Sequence, residues 1–138
     1  MTVESVLLYG CEALTLTKST EKMIDGTYTR LLRSARNVSW QDHVPNVILY
    51  GILPKLSSKI RERRMRLAGH CVRHTEEEAS KFLLWNPTRG RGKRKTTYID
   101  TLLSDTGCEN ENKIRTAMMD KDSWKRRIHG VRAGPQPR

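Results

Sequence analysis

The sequence predicts a mainly α-helical protein, in which a small helical bundle is followed by a basic loop and short C-terminal helices. Two observations lead to this prediction. Apolar residues recur every three or four positions, which is the period of a helix buried on one face. Capping residues precede these segments, and Gly or Pro follows several of them. At 138 residues with 36% hydrophobic content, the chain fits one domain with a thin core, or a small domain with a tail.

The clearest helix in the first half of the chain is predicted over residues 20–36. Its apolar residues follow the spacing of one buried face: Ile24, Tyr28, Leu31, Leu32 and Ala35. Ser19 or Thr20 is the expected N-cap. Residues 3–9 are a short apolar run for which periodicity leaves strand and helix both open. A short helix is expected over residues 44–50, with Pro45 in its first turn.

A second long helix is predicted from Leu56 to Arg73, and it is both core-forming and strongly cationic. Its apolar stripe consists of Leu56, Ile60, Leu67 and Cys71. On a helical wheel, four basic residues share the side opposite Met65 and Val72: Lys59, Arg63, Arg66 and Arg73. Arg61 and Arg64 fall toward the apolar half, where each must extend to solvent or meet an anion.

Shorter elements are predicted beyond residue 75. A segment opens at Glu76 and is ended by Pro87, and the glycine-containing basic loop at 88–97 cannot contribute to a core. Thr96 or Thr97 is the expected cap of a helix that Gly107 stops.

Two further helices are predicted after Gly107. The first carries Ile114, Ala117 and Met118. The second carries Trp124 and Ile128 after a cap at Asp120 or Asp122. The predicted organisation is therefore a helical region at 1–75, a connector with the basic loop at 76–97, a short-helix region at 98–132 and a disordered tail at 133–138.

The net charge of +11 is concentrated in the middle of the chain. Residues 1–50 carry five basic and five acidic residues, residues 51–100 thirteen and five, and residues 101–138 eight and five. Local basic density favours nucleic acid as the partner, followed by acidic partners and anionic membrane surfaces, with an ordinary solvated surface as the alternative. The candidate nucleic-acid-binding residues are Lys59, Arg61, Arg63, Arg64, Arg66, Arg73, Arg89, Arg91, Lys93, Arg94, Lys95, Lys125, Arg126 and Arg127.

Catalytic and metal-binding patterns are missing from the sequence. It contains no Gly-x-Gly-x-x-Gly, Walker loop, His-Glu-x-x-His or Gly-x-Ser-x-Gly, and no Asp-Asp pair for a two-metal site. Cys71 and His74 form a Cys-x-x-His pair, but Cys108 and His129 are too loosely spaced to complete a structural zinc site. We therefore expect no catalytic residue, no cofactor and no metal, with Cys71 as a buried thiol.

The two tryptophans beside basic segments, Trp85 and Trp124, raise the possibility of base stacking. Tryptophans at the ends of helical segments more often fill a core, so we expect both of them to be packed inside the protein.

The sequence also favours an intracellular compartment over a membrane. No stretch approaches the ~20 apolar residues that span a bilayer, and the N-terminus lacks the features of a signal peptide. Three widely spaced cysteines do not make a disulfide framework. A nuclear or possibly cytoplasmic location is expected.

Three motifs occur in order along the chain. They are Leu7-Leu-Tyr-Gly-Cys-Glu12, then Arg61-Glu-Arg-Arg-Met-Arg-Leu-Ala-Gly-His70 followed by Arg73, then Asp120-Lys-Asp-Ser-Trp-Lys-Arg-Arg127. This series resembles the C-terminal end of a non-LTR, LINE-type retrotransposon endonuclease–reverse transcriptase of the RTE group. The chain departs from that pattern at Leu14, where the family has Trp. It departs again at Leu67-Ala68, which lacks the family's aromatic residue, and in the loop 91–95, which lacks proline.

The resemblance implies a thumb-like helical bundle that grips a template–primer duplex, followed by a segment that helps to bind element RNA or target DNA. The family's Tyr-Ala-Asp-Asp polymerase motif and its endonuclease domain are absent from this sequence. The resemblance therefore implies a truncated fragment of an RNA-directed DNA polymerase that binds RNA, an RNA–DNA duplex or target DNA without sequence preference. It implies no catalysis by the fragment alone, and an upstream palm and fingers domain as the natural packing partner.

Two other functions stay open at this point. The chain could be the non-functional translation of a degenerate element, because aromatic-to-small changes at core-like positions would loosen its packing. It could also be a helical protein-interaction module adopted by a host.

Overall fold

The computed structural model describes residues 2–83, 85, 90, 92 and 96–132. Within these residues the protein is mainly helical, as predicted, and forms no strand. The first helices along the chain are α1 (Thr2–Leu8), α2 (Lys18–Ala35), α3 (Asn46–Tyr50) and α4 (Leu56–Arg73). They are followed by α5 (Glu78–Leu83), α6 (Tyr98–Thr106), α7 (Glu111–Met119) and α8 (Lys121–Arg132). Single 3₁₀ turns cover Cys11–Ala13 and Trp40–Asp42. The tail predicted over 133–138 lies outside the described residues.

Local sequence signals explain where the helices begin and end. The cationic helix α4 has the predicted bounds. The apolar run at residues 3–9, for which the sequence left strand and helix both open, lies mostly in the helix α1. The helix α2 begins two residues earlier than predicted, because Thr17 is its N-cap in place of Ser19 or Thr20. The Thr17 hydroxyl accepts a hydrogen bond from the backbone N–H of Thr20 at 3.2 Å, which satisfies an otherwise unpaired donor.

The C-terminal helices are bounded as expected. Thr97 caps α6 in a capping box with Asp100. Gly107 ends the same helix with a φ of +66°, a left-handed conformation that glycine adopts without strain. The carboxylate of Asp120 accepts from the backbone N–H groups of Asp122 and Ser123, so Asp120 caps α8.

The core consists of two clusters that are both built on α4. The N-terminal cluster combines the first half of α4 with α1, α2 and α3: Leu8, Tyr28, Tyr50, Leu56 and Ile60. The C-terminal cluster combines the second half of α4 with α6, α7 and α8: Met65, Ala68, Val72, Tyr98, Leu102, Ile114, Met118, Trp124 and Ile128. The helix α4 is therefore the element through which the two halves of the protein share one core.

The predicted buried face of α2 is buried only in part. Tyr28 is buried, and Ile24 and Leu32 pack against the N-terminal cluster. Leu31 and Ala35 are exposed. The helix α2 packs on α3 and α4 only along part of its length, so the rest of its apolar stripe faces solvent.

Helices α4 and α8 approach each other closely where Gly69 faces Trp124. A Cβ atom at residue 69 would lie 2.5 Å from the indole Nε1 of Trp124, far inside van der Waals contact. The same Nε1 donates a hydrogen bond of 2.8 Å to the backbone carbonyl of Met65. Because Trp124 is only 2% exposed, this bond satisfies a donor that would otherwise be buried without a partner. The lack of a side chain at Gly69 thus permits both the packing and the hydrogen bond.

We predict that Gly69→Ala lowers the free energy of unfolding by about 2 kcal/mol, because the added methyl group displaces the Trp124 ring from its site. Urea denaturation followed by far-UV circular dichroism measures the change.

The matched control is Gly26→Ala in α2, where a Cβ meets no atom within 4 Å. This change should raise the free energy of unfolding by about 0.5–1 kcal/mol, because alanine favours the helix more than glycine does. Equal effects of the two substitutions would contradict the close packing at Gly69.

Candidate nucleic-acid interface

Basic side chains from α4 and α8 come together on one side of the C-terminal cluster. Arg66 and Arg73 are seven residues apart on α4, which places them two turns apart on the same face. On α8, Lys121, Lys125 and His129 recur every fourth residue and so form a row along that helix. The close contact of the two helices at Gly69 brings this face and this row next to each other.

The space between them is a cleft of about 260 Å³, which we call the α4–α8 cleft. Its rim consists of Arg66, Arg73, Lys121, Lys125 and His129. Trp124 and Ile128, which are nearly fully buried, form its floor. The described lining residues include four permanent positive charges and no carboxylate, so the cleft favours an anion.

Hydrogen bonds hold the two arginines of the cleft in place. One guanidinium nitrogen of Arg73 donates to the carbonyl of Met118 at 2.8 Å, near the C-terminal end of α7. A neutral carbonyl fixes the side chain but leaves its charge, and a guanidinium keeps further donors for a phosphate. Arg66 pairs with Glu62 at 2.5 Å; the Arg66 side chain is 60% exposed and the Glu62 side chain 13%, so this carboxylate offsets part of the Arg66 charge beside the cleft.

The other two basic residues predicted for this side of α4 point toward the N-terminal cluster. Lys59 forms an ion pair with Glu4 at 2.5 Å. Arg63 donates to the carbonyl of Leu8 at 3.2 Å. Both side chains therefore hold α1 against α4, and they lie outside the α4–α8 cleft.

Arg61 and Arg64 take part in a chain of ion pairs inside the protein. The Arg64 side chain is fully buried and pairs with Asp105 of α6 at 2.5 Å. Arg61 lies between Asp105, at 3.5 Å, and Glu21 of α2, at 2.8 Å. The sequence indicated that these arginines must reach solvent or meet an anion, and both meet carboxylates of this chain.

Arg64 must therefore be removed from the candidate interface. A side chain with no exposed surface cannot contact a phosphate, and its charge is already neutralised by Asp105. Arg61 is partly exposed but is also committed to two carboxylates. Fewer basic side chains of α4 are therefore available to a ligand than the number of arginines in the helix suggests.

Burial changes the ionisation of the groups around Arg64. Burial raises the pKa of the Asp105 carboxyl, and the neighbouring Arg64 opposes that shift. Burial also raises the pKa of Tyr98, which keeps its hydroxyl protonated. That hydroxyl lies 3.0 Å from the carbonyl of Glu12 and 3.3 Å from that of Arg64, so it links the first 3₁₀ turn to α4 and α6. The hydrogen bond to Glu21 raises the pKa of Arg61.

The remaining candidate residues are placed in two groups. Arg126 and Arg127 are exposed on α8, and Arg127 lies 3.4 Å from the sulfur of Cys108. The five basic residues of the loop lie outside the described residues: Arg89, Arg91, Lys93, Arg94 and Lys95.

The residues considered for zinc do not converge. Cys71 is buried in the core, as expected for a structural thiol. The rings of His70 and His74 contact each other outside the core, with centroids 4.4 Å apart and planes tilted by 38°. Within the described part of the chain, no three His, Cys, Asp or Glu side chains are grouped as metal ligands.

The two tryptophans beside the basic segments differ in their burial. Trp124 is a core residue, as predicted. The same prediction was wrong for Trp85, which is 65% exposed. The helix α5 ends at Leu83, so Trp85 lies beyond the helix that was expected to pack it.

Sequence reasoning missed Lys121 and His129 as members of the site. Their spacing of four residues from Lys125 is visible in the sequence and could have indicated one helical row.

Comparison of the chain with protein-family models, with curated proteins and with solved structures gave no match. None of the described helices has the length and apolar character that crossing a bilayer requires.

We predict that Asp105→Ala lowers the free energy of unfolding by about 3–5 kcal/mol, because it leaves the charge of Arg64 buried without a counterion. Chemical denaturation of the variant measures the loss.

The control is Glu109→Ala, which removes an exposed i,i+4 pair with Lys113 and should cost less than about 0.5 kcal/mol. The double variant Arg64→Met with Asp105→Leu should recover most of the stability lost in Asp105→Ala. A double variant as unstable as Asp105→Ala would show that the buried charge is not the cause.

Proposed function

We propose that this chain is a non-catalytic nucleic-acid-binding fragment of a retrotransposon reverse transcriptase, and that it grips the sugar–phosphate backbone through the α4–α8 cleft. The observation that carries the proposal is the set of four basic side chains around one cleft without a carboxylate among the described lining residues. Phosphate oxygens are the ligands that such an arrangement of guanidinium and ammonium groups favours.

The chemistry of the cleft supports binding without sequence preference. Reading of bases requires polar side chains that reach the base edges in a groove, commonly from a helix inserted there. The cleft instead presents Arg73 held by the Met118 carbonyl and a largely exposed Arg66 paired with Glu62, with lysines on flexible stems beside them. Such groups follow a backbone by its charge, so RNA, an RNA–DNA duplex and target DNA are all suitable partners.

The positions of the three motifs support the proposed origin. The second and third motifs meet where Gly69 faces Trp124, and the first meets α4 through the Arg63 bond to the Leu8 carbonyl. Through these contacts the residues of the three motifs hold three distant segments of the chain together around α4. A thumb-like bundle needs a few packed helices and a cationic face, and α4 contributes to both.

The proposal extends to the partner domain and the location. In the resembled family a palm and fingers domain precedes this region, and we propose it as a packing partner. Apolar side chains exposed on and beside α3 offer a surface for it: Val47, Ile48 and Ile52. The polymerase and endonuclease activities would belong to the upstream domains, and a nuclear location would place the fragment with its substrate.

We predict that the unaltered protein binds an RNA–DNA duplex with an affinity that falls steeply as salt rises, and that Lys121→Gln with Lys125→Gln reduces this salt dependence. Each lost phosphate contact lowers the slope of log K against log salt by about 1, so the double variant should lose about 2. Fluorescence anisotropy over a salt series measures the slope.

The control is Lys18→Gln with Lys22→Gln on α2, which removes the same charge from exposed positions outside the α4–α8 cleft. Its slope should match that of the unaltered protein. Equal slopes for the two double variants would reject the cleft as the binding site, and a failure of the unaltered protein to bind at low salt would reject the proposed function.

A further inference from the structure

The row of basic residues by which α8 lines the α4–α8 cleft ends in a histidine. Lys121, Lys125 and His129 recur every fourth residue, and each step advances about 6 Å along the helix axis. This step is close to the separation of successive phosphates along one nucleic-acid strand. All three side chains line the cleft, and all three residues are exposed. The third position of the row is therefore within reach of a bound backbone.

His129 differs in its chemistry from the other basic residues of the cleft. Lysine and arginine side chains keep their positive charge at neutral pH, whereas a histidine side chain ordinarily changes its charge between about pH 5 and 8. The diester phosphates of nucleic acid keep one negative charge each over the same range. Among the described lining residues, His129 is therefore the one whose type lets the charge of the cleft vary near neutral pH.

The charged groups of α4 beside His129 are two arginines and one carboxylate. Arg66 and Arg73 line the same cleft as His129. Glu62 offsets part of the Arg66 charge. The positive charge that α4 brings to the cleft is therefore less than two full charges, so one further charge at His129 is a substantial addition.

The other groups around α8 leave His129 facing the cleft. On α8 itself, the exposed Asp122 lies 4.0 Å from the ammonium of Lys125, and the exposed Arg126 is outside the cleft lining. The helices α6 and α7 also pack on α8, but none of their described residues lines the cleft. Their charged side chains are engaged within the chain: Asp100 caps α6, Asp105 pairs with Arg64, Glu111 with Arg115, and Lys113 with Glu109.

We propose that the α4–α8 cleft binds nucleic acid in a pH-dependent way, with protonated His129 as a third phosphate contact in the row on α8. This inference rests on the proposed function and adds a form of regulation to it. A bound phosphate favours the protonated imidazole, and the protonated imidazole strengthens phosphate binding to the same extent, because the two binding events are linked. The affinity for nucleic acid therefore rises as the pH falls from about 8 to about 6.

The experiment measures binding of an RNA–DNA duplex by fluorescence anisotropy at about pH 8 and about pH 6, over the same salt series. At low salt the unaltered protein should bind about fivefold more tightly at the lower pH, and its slope of log K against log salt should be steeper by about 1. His129→Gln should remove both differences. His129→Lys keeps a positive charge at both pH values, so at the higher pH it should bind about as tightly as the unaltered protein does at the lower pH.

The matched control is His70→Gln with His74→Gln. Both histidines are exposed near the end of α4 and lie outside the described lining of the cleft, and His70 lies 3.6 Å from a carboxylate oxygen of Glu77. This double variant should keep the full pH dependence of the unaltered protein. Thermal unfolding of each protein at both pH values ensures that folded proteins are compared.

The outcomes separate the two proposals. Equal affinities of the unaltered protein at the two pH values, or a pH dependence that His129→Gln retains or that the control loses, would overturn the inference while duplex binding upholds the proposed function. A failure of His129→Lys to gain affinity at the higher pH would also overturn it, because a positive charge at residue 129 would then add no phosphate contact. If the unaltered protein does not bind the duplex at either pH, the proposed function fails and the inference fails with it.

Discussion

The contact between Gly69 and Trp124 is the constraint on which the C-terminal half of the structure depends. A hydrogen atom in place of a side chain lets the indole lie against the backbone of α4, where it reaches the carbonyl of Met65. The position of α8 along α4 follows from this contact. Because Lys121 and Lys125 flank Trp124 on the same helix, the packing inside the core also sets where their charges stand outside it.

The helix α4 carries many arginines and still packs in the core, because its basic side chains point in different directions. Toward the interior, Arg64 is neutralised by Asp105, a pair that costs solvation but specifies how α6 docks. Toward the N-terminal half, Lys59 pairs with Glu4. Toward α8, Arg73 and the Glu62-paired Arg66 line the cleft. One basic helix thus packs along two faces and lines the α4–α8 cleft along a third.

The sequence predicted the helices well and the site only in part. Periodicity predicted the bounds of α4, and Leu56, Ile60 and Cys71 of its predicted stripe are buried, whereas Leu67 is buried only in part. The wheel also showed that Arg64 faced inward, but Asp105 lies forty-one positions away and no local pattern predicts that pairing. Trp85 was assigned to the core because a tryptophan at a helix end usually packs, and only the tertiary structure shows that the described residues leave it 65% exposed. Local signals give the elements, whereas the site depends on which elements meet.

The most direct test of the α4–α8 cleft is lysine reactivity measured by mass spectrometry after mild acetylation, with and without an RNA–DNA duplex at low salt. The account predicts that Lys121 and Lys125 become protected, that Lys22 and Lys113 keep their reactivity, and that high salt abolishes the protection. Protection of all four lysines alike, or of Lys22 and Lys113 instead, would contradict the account.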